Sequence, residues 1–148
     1  MTKPRKIQTL ASFLEVIEEI CNDWDCLATT THPWFRGQAK ASWSLIPGLY
    51  RGWIHSFYER ELVRDFRLRS KSYLDQQPLN DLEWLFVMQH YGMPTRLLDW
   101  TESHLFALYF AVSHRAASGD AAVWILDPWS VNYHAINLES VPTADHPV

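Results

Sequence analysis

The chain has 148 residues, 47% hydrophobic and 20% charged, which fits one globular domain with its own core. That balance excludes intrinsic disorder. The longest apolar run, Leu105 to Val112, falls far short of the roughly 20 residues a membrane-spanning helix needs. The formal net charge of -4 is uneven: residues 34–71 hold eight basic and three acidic side chains, residues 72–148 two and nine. A basic stretch in an acidic chain suits a phosphate ligand or a solvated helix face. Eight Trp stand out among the aromatic residues. They read as core rings or as walls that stack a planar ligand. Cys21 and Cys26 are the only cysteines, too few for a zinc site or a disulfide framework. The first residues lack the apolar stretch of a signal peptide, so a reducing cytoplasm and no membrane are expected.

Residues 1–8 read as a flexible N-terminus. Ser12 with Glu15 fits a capping box, and Phe13, Val16, Ile17 and Ile20 give the first helix an apolar face. Residues 22–33 read as loop. Trp34 to Gln38 reads as a strand whose Gly lets something approach its backbone closely. Trp43 to Leu49 reads as a second extended piece. A long helix is predicted from about Ser56 to Tyr73, with Tyr58, Leu62, Phe66 and Tyr73 as its stripe. Asn80 with Glu83 opens the next helix, which buries Trp84, Val87, Met88 and Tyr91 and ends at Gly92 and Pro94. Thr95 to Trp100 reads as extended. Ser103 caps a helix to about His114, apolar all round and therefore expected to be buried. Ala121 to Leu126 is predicted as a central strand, and residues 131–148 as an irregular tail. Strands and helices mix without regular βαβ alternation, so the expected fold is α+β, a small mixed sheet with several packed helices.

Two segments place charge beside apolar structure. In Trp34-Phe35-Arg36-Gly37-Gln38, the guanidinium can present a fork of donors to phosphate or carboxylate. The competing reading is a buried ion pair with an Asp. The second segment, Gln89 to Thr101, holds His90, Thr95, Arg96, Asp99, Trp100 and Thr101. Asp99 can orient Arg36 or Arg96, act as a base, or cap a turn. His90 can carry a proton or serve as a structural hydrogen-bonding group. No phosphate-loop, dinucleotide or nucleophile-elbow motif occurs, and the seven His show no metal-ligand spacing. No metal is expected. Arg60, Arg64, Arg67 and Lys71, with Arg51 nearby, form a basic helix suited to nucleic acid or an acidic partner.

WFRGQAKASWSLIPGLYR resembles the F-R-G-Q signature of the FRG domain family. QHYGMPTRLLDWTESHLFALYFAV is similar to its second block, and AAVWILDP to the strand that follows. The resemblance spans about residues 9–130. Members of that family are bacterial and phage-associated domains, often near defence or mobile-element functions. They usually continue with a Q-x-G-x-F block that this sequence does not show, so the domain is expected to be incomplete at its C-terminal side. The order of elements also resembles the ADP-ribosyltransferase superfamily. That resemblance implies NAD as a substrate, with Arg36 on its phosphates and Thr95 at the nicotinamide ribose. A late Glu or Gln would lie in the missing block. The expectation is thus a protein that binds or processes NAD or another nucleotide in defence or toxin biology. Arg36, Thr95 and Asp99 are its catalytic candidates; Gly37, Gln38, His90, Arg96, Trp100 and Thr101 are its ligand-binding candidates. The alternative is a non-catalytic module that docks nucleic acid or an acidic partner through the basic helix. Under a third reading both motifs only build the fold.

Overall fold

A computed structural model describes residues 4–24, 26, 32–51, 58–113, 119–138 and 140–142. The chain folds as two compact units. The first joins Met1–Ser42 to Trp100–Val141, and the second joins Trp43–Asp99 to Pro142–Val148. The described residues form five α-helices and one two-stranded antiparallel sheet, an α+β fold.

The first unit contains α1 (Leu10–Asp23), β1 (Trp34–Gln38), α4 (His104–Ser113), β2 (Ala122–Leu126) and α5 (Pro128–Ile136). Strands β1 and β2 pair with Phe35 opposite Ile125 and Gly37 opposite Val123. Side chains alternate across a strand, so Phe35, Gly37, Val123 and Ile125 share one face. That face meets α4 and α1: Phe13, Ile17, Phe35 and Ala107 form the buried core, with Cys21, Leu108, Val123 and Ile125 packed on it. Each large ring or aliphatic chain removed from water here contributes about 1.5–3 kcal/mol. The His104 ring closes the cluster, edge-on to Phe35 at 5.8 Å between centroids. The Gly in the strand has the role its position predicts. A Cβ at Gly37 would lie 2.7 Å from the Ala111 backbone nitrogen, so α4 lies directly on the β1 backbone.

Several local expectations shift. Thr9, not Ser12, caps α1: its Oγ1 accepts the Ser12 N–H at 3.1 Å, and Ser12 Oγ accepts the Thr9 N–H at 3.3 Å. The same box spacing occurs twice, and the earlier copy adds one more turn of helix. At its other end α1 runs on to Asp23, into the predicted loop. The α4 helix is not buried all round. Its small residues Ala107 and Ala111 face the sheet, while Phe106 and Tyr109 are 64% and 60% exposed. Strand β2 is not central among the described residues; it has only β1 beside it. β1 is the middle element, because Thr101 bridges Phe35 on its other edge. The tail from 131 is not irregular at its start. Asp127 accepts the Trp129 and Ser130 N–H groups, Pro128 occupies the first turn, and α5 continues to Ile136. Asn137 then ends it in the left-handed region at φ 54°. No helix among the described residues is long and apolar enough to cross a membrane.

The second unit contains a 3-10 turn (Gly48–Tyr50), α2 (Glu59–Ser70) and α3 (Asp81–His90). Trp43 to Leu49 forms no strand; Pro47 and Gly48 lead into the turn, and Leu49 reaches Thr95 by one backbone bond of 3.0 Å. Helix α2 ends at Ser70, three residues before the predicted end, and the predicted start at Ser56 lies outside the described residues. Tyr58 and Tyr73 are exposed, so Leu62 and Phe66 carry the inward stripe. Helix α3 matches expectation: Asn80 Oδ1 accepts the Glu83 N–H at 2.9 Å, and Trp84 and Met88 are buried. Gly92 follows at φ 78°, and the turn leaves Tyr91 exposed rather than buried.

Cys26 sits just past α1, where its N–H donates to the Cys21 carbonyl at 2.9 Å. Burial, then the neighbouring Cys21 thiol, push the Cys26 thiol above its ordinary pKa of 9.0. Less thiolate is therefore present at pH 8, and iodoacetamide is expected to modify Cys26 more slowly than a free cysteine. Because the folded value is raised, its stabilising contribution is complete below pH 9.0 and falls as pH rises further. Alkylation followed by mass spectrometry across pH 7–10 checks both rate and direction.

Candidate functional site

In the first unit, β1 sorts its signature residues onto two faces. Phe35 and Gly37 point to α4. Trp34, Arg36 and Gln38 alternate to the opposite face. Arg36 stands directly opposite Trp124 of β2, and Trp34 opposite Leu126. The Trp124 indole Nε1–H donates to Gln38 Oε1 at 2.8 Å, and Gln38 is buried. Along the other edge of β1, Phe35 and Thr101 exchange both backbone bonds, at 2.7 and 2.9 Å. Trp100 precedes Thr101, so pleat alternation puts it on the Arg36 face. Arg36 therefore stands in a row between Trp124 and Trp100. It is half-buried, with its Nε out of water. Thr101 belongs to the other face and helps to start α4, its Oγ1 accepting the Ser103 N–H at 3.1 Å.

In the second unit, three side chains form a chain. Thr95 Oγ1 donates to Gln89 Oε1, and Gln89 Nε2 donates to Asp99 Oδ1. Thr95 is 2% exposed and also accepts the Leu97 N–H at 3.3 Å, which fixes the backbone after Pro94. Arg96 points elsewhere. Its Nε donates to both Glu59 carboxylate oxygens at 2.8 Å, and its Nη2 also donates to Glu59. Glu59 is buried, whereas the Arg96 side chain is more than half exposed. Hydrogen bonding to Glu59 raises Arg96 above the ordinary arginine pKa. Sequence reading did not single out Glu59. The available signal was slight: Glu59 and Glu61 open a helix whose other charges are mostly basic. His90 ends α3 exposed, its ring edge-on to Tyr91 at 5.5 Å.

The structure thus brings Arg36, Gln38 and Trp100 to one sheet face of the first unit. It links Thr95 to Asp99 in the second unit and gives Arg96 a separate partner. Among the described residues, no three His, Cys, Asp or Glu side chains are grouped to hold a metal.

A family model for the FRG domain matches residues 18–120. The chain belongs to the FRG domain family. No curated protein and no solved structure matches it.

In this FRG domain each letter of the signature has its own physical task. Phe35 fills the core, Arg36 stands on the opposite face, Gly37 admits α4, and Gln38 fixes the Trp124 ring. The basic helix of the FRG domain spends part of its charge internally. Arg67 pairs with Asp81 and lies over the Trp84 ring at 5.1 Å, and Arg51 Nε donates to the Ile46 carbonyl at 2.6 Å. Arg64 meets Asp65 at 3.5 Å on the surface, while Arg60 and Lys71 are exposed. That distribution is less suited to a continuous phosphate track than the sequence spacing implies.

Proposed function

We propose that this FRG domain binds a nucleotide carrying a pyrophosphate, with NAD the leading ligand, on the Arg36 face of its small sheet. The observation that carries the reading is Arg36 paired opposite Trp124 in the sheet, with the bridge of Phe35 to Thr101 bringing the chain at Trp100 to the other edge of β1. A guanidinium offers paired N–H donors to phosphate oxygens. Indole rings beside it offer π faces to a base or a nicotinamide ring. Gln38 holds the Trp124 indole by its N–H, so that wall is pre-oriented and costs less to order on binding. The wider expectation of a role in bacterial defence or toxin biology rests on the family alone.

Thermal unfolding with added ligand tests the reading. At ten times its Kd, a one-site ligand adds about 1.4 kcal/mol of stability. For a chain of this size, that raises Tm by about 3–6 °C. NAD and ADP are expected to give this shift, adenosine much less, and Arg36→Ala is expected to remove it. No shift with NAD or ADP, or an equal shift in Arg36→Ala, overturns the reading.

A further inference from the structure

The second unit holds a cleft that the Arg36 face does not involve. Its volume is about 770 Å³, and Leu62 and Phe66 of α2 with Tyr91 and Met93 beyond α3 give it apolar walls. Phe66 and Tyr91 pack against each other in its wall, with ring centroids 6.2 Å apart, inclined at 46°. The left-handed Gly92 places Tyr91 and Met93 there, because the chain reverses at that residue. Two polar groups mark the same wall. Ser70 Oγ is buried and, among the described residues, accepts and donates no hydrogen bond. Arg69, the residue before it, also lines the cleft and forms no ion pair among the described residues. Asp65 lies on the rim one turn away, but Arg64 answers its charge at 3.5 Å. The cleft lining thus carries one cationic side chain, Arg69, and one anionic side chain, Asp65.

An apolar cleft of this size falls in the range of small-molecule sites, where a few placed polar groups fix orientation. Flat rings fit walls made by Phe66 and Tyr91. A carboxylate matches the guanidinium of Arg69, which has no ion pair among the described residues. From these observations we infer that the cleft between Leu62, Phe66, Tyr91 and Met93 binds an aromatic monocarboxylate, with Arg69 on the carboxylate.

The chain has three methionines, which makes methyl-¹³C methionine labelling a direct readout. Met93 lines the cleft, while Met88 is fully buried and reports whether the unit stays folded. The intact chain is titrated with 2-naphthoate and, separately, with the neutral 2-naphthamide. The expected result is a saturable shift of the Met93 methyl signal with Met88 unmoved, and at least tenfold tighter binding of naphthoate. Arg69→Gln, on an exposed helix position, is expected to erase the preference for naphthoate over naphthamide and to keep the Met88 signal. Leu62→Trp is expected to fill the cleft and abolish the shift. An unmoved Met93 signal, equal affinity for the two probes in the unaltered chain, or an unchanged preference in Arg69→Gln overturns the inference.

Discussion

Gly37→Ala is expected to cost at least about 3 kcal/mol and to lower Tm by about 6–12 °C. The added Cβ would lie 2.7 Å from the Ala111 nitrogen and 3.0 Å from the Ala107 carbonyl carbon. Both neighbours are helix backbone, so no side chain can swing aside. Relief requires α4 to lift from β1, which opens space around Ala107 and Ala111, both now buried. A void there loses dispersion contacts on both elements. The expected cost is a large share of a domain's usual 5–15 kcal/mol, enough to lower the yield of folded protein at 37 °C. Gly92→Ala is the useful contrast. Gly92 has open space around it but a φ of 78°, so its cost is conformational and about 1 kcal/mol. Urea unfolding followed by circular dichroism compares the two. If the Gly37 variant lost no more than the Gly92 variant, α4 would not be seated on β1 as described.

The sequence showed that something approaches Gly37, but not what. The partner was written in Ala107 and Ala111, one helical turn apart on α4. They were hidden because every other position from Leu105 to Val112 is also a large apolar or aromatic residue, so periodicity selected no face. Side-chain size made the choice instead: the small side admits the strand backbone, and the rings of Phe106 and Tyr109 remain outside. The same ambiguity affected β2, where Ala122, Trp124 and Leu126 are apolar on one face and Val123 and Ile125 on the other. A strand apolar on both faces reads as central, yet β1 holds that place. Caps were more legible where one arrangement dominates, as at Asn80 and Glu83, than where Thr9 and Ser12 compete with Ser12 and Glu15. At the candidate site, the sequence marked the segment Trp34 to Gln38 as a strand, and the structure puts Arg36 on the face away from α4. Its neighbours Trp124 and Trp100 come from register, and register depends on pairings 88 and 66 residues away in the chain. Glu59 was missed for a related reason: its partner Arg96 lies 37 residues on, and no local spacing marks such a pair.

That pair carries the other large expected effect. Arg96→Ala leaves the buried Glu59 carboxylate without its guanidinium. Removing one partner of a fully buried pair costs about 3–5 kcal/mol. Arg96 is more than half exposed, so water screens part of the loss, and about 2–3 kcal/mol is expected. Glu59→Gln keeps one acceptor oxygen and the shape of the side chain, and its expected cost is about 1 kcal/mol. The double variant Glu59→Ala with Arg96→Ala removes the stranded charge along with its partner, so it should be less destabilised than the sum of the single alanine variants by about 1–3 kcal/mol. An additive cycle would show that the two side chains stabilise the unit through independent contacts. The pH dependence has a definite sign. Arg96 is raised in the folded state, so its contribution is complete below the ordinary arginine value and is lost only as pH rises beyond it. Arg96 itself therefore adds no slope to stability between pH 6 and 9. Arg96 and its partner Glu59 belong to the second unit, and Arg36 to the first. Measured well below its own Tm, Arg96→Ala should retain NAD binding while showing a lower urea midpoint, whereas Arg36→Ala should lose NAD binding. Loss of NAD binding in both variants would mean that the second unit contributes to the ligand, and the site would then have to be extended beyond the sheet face.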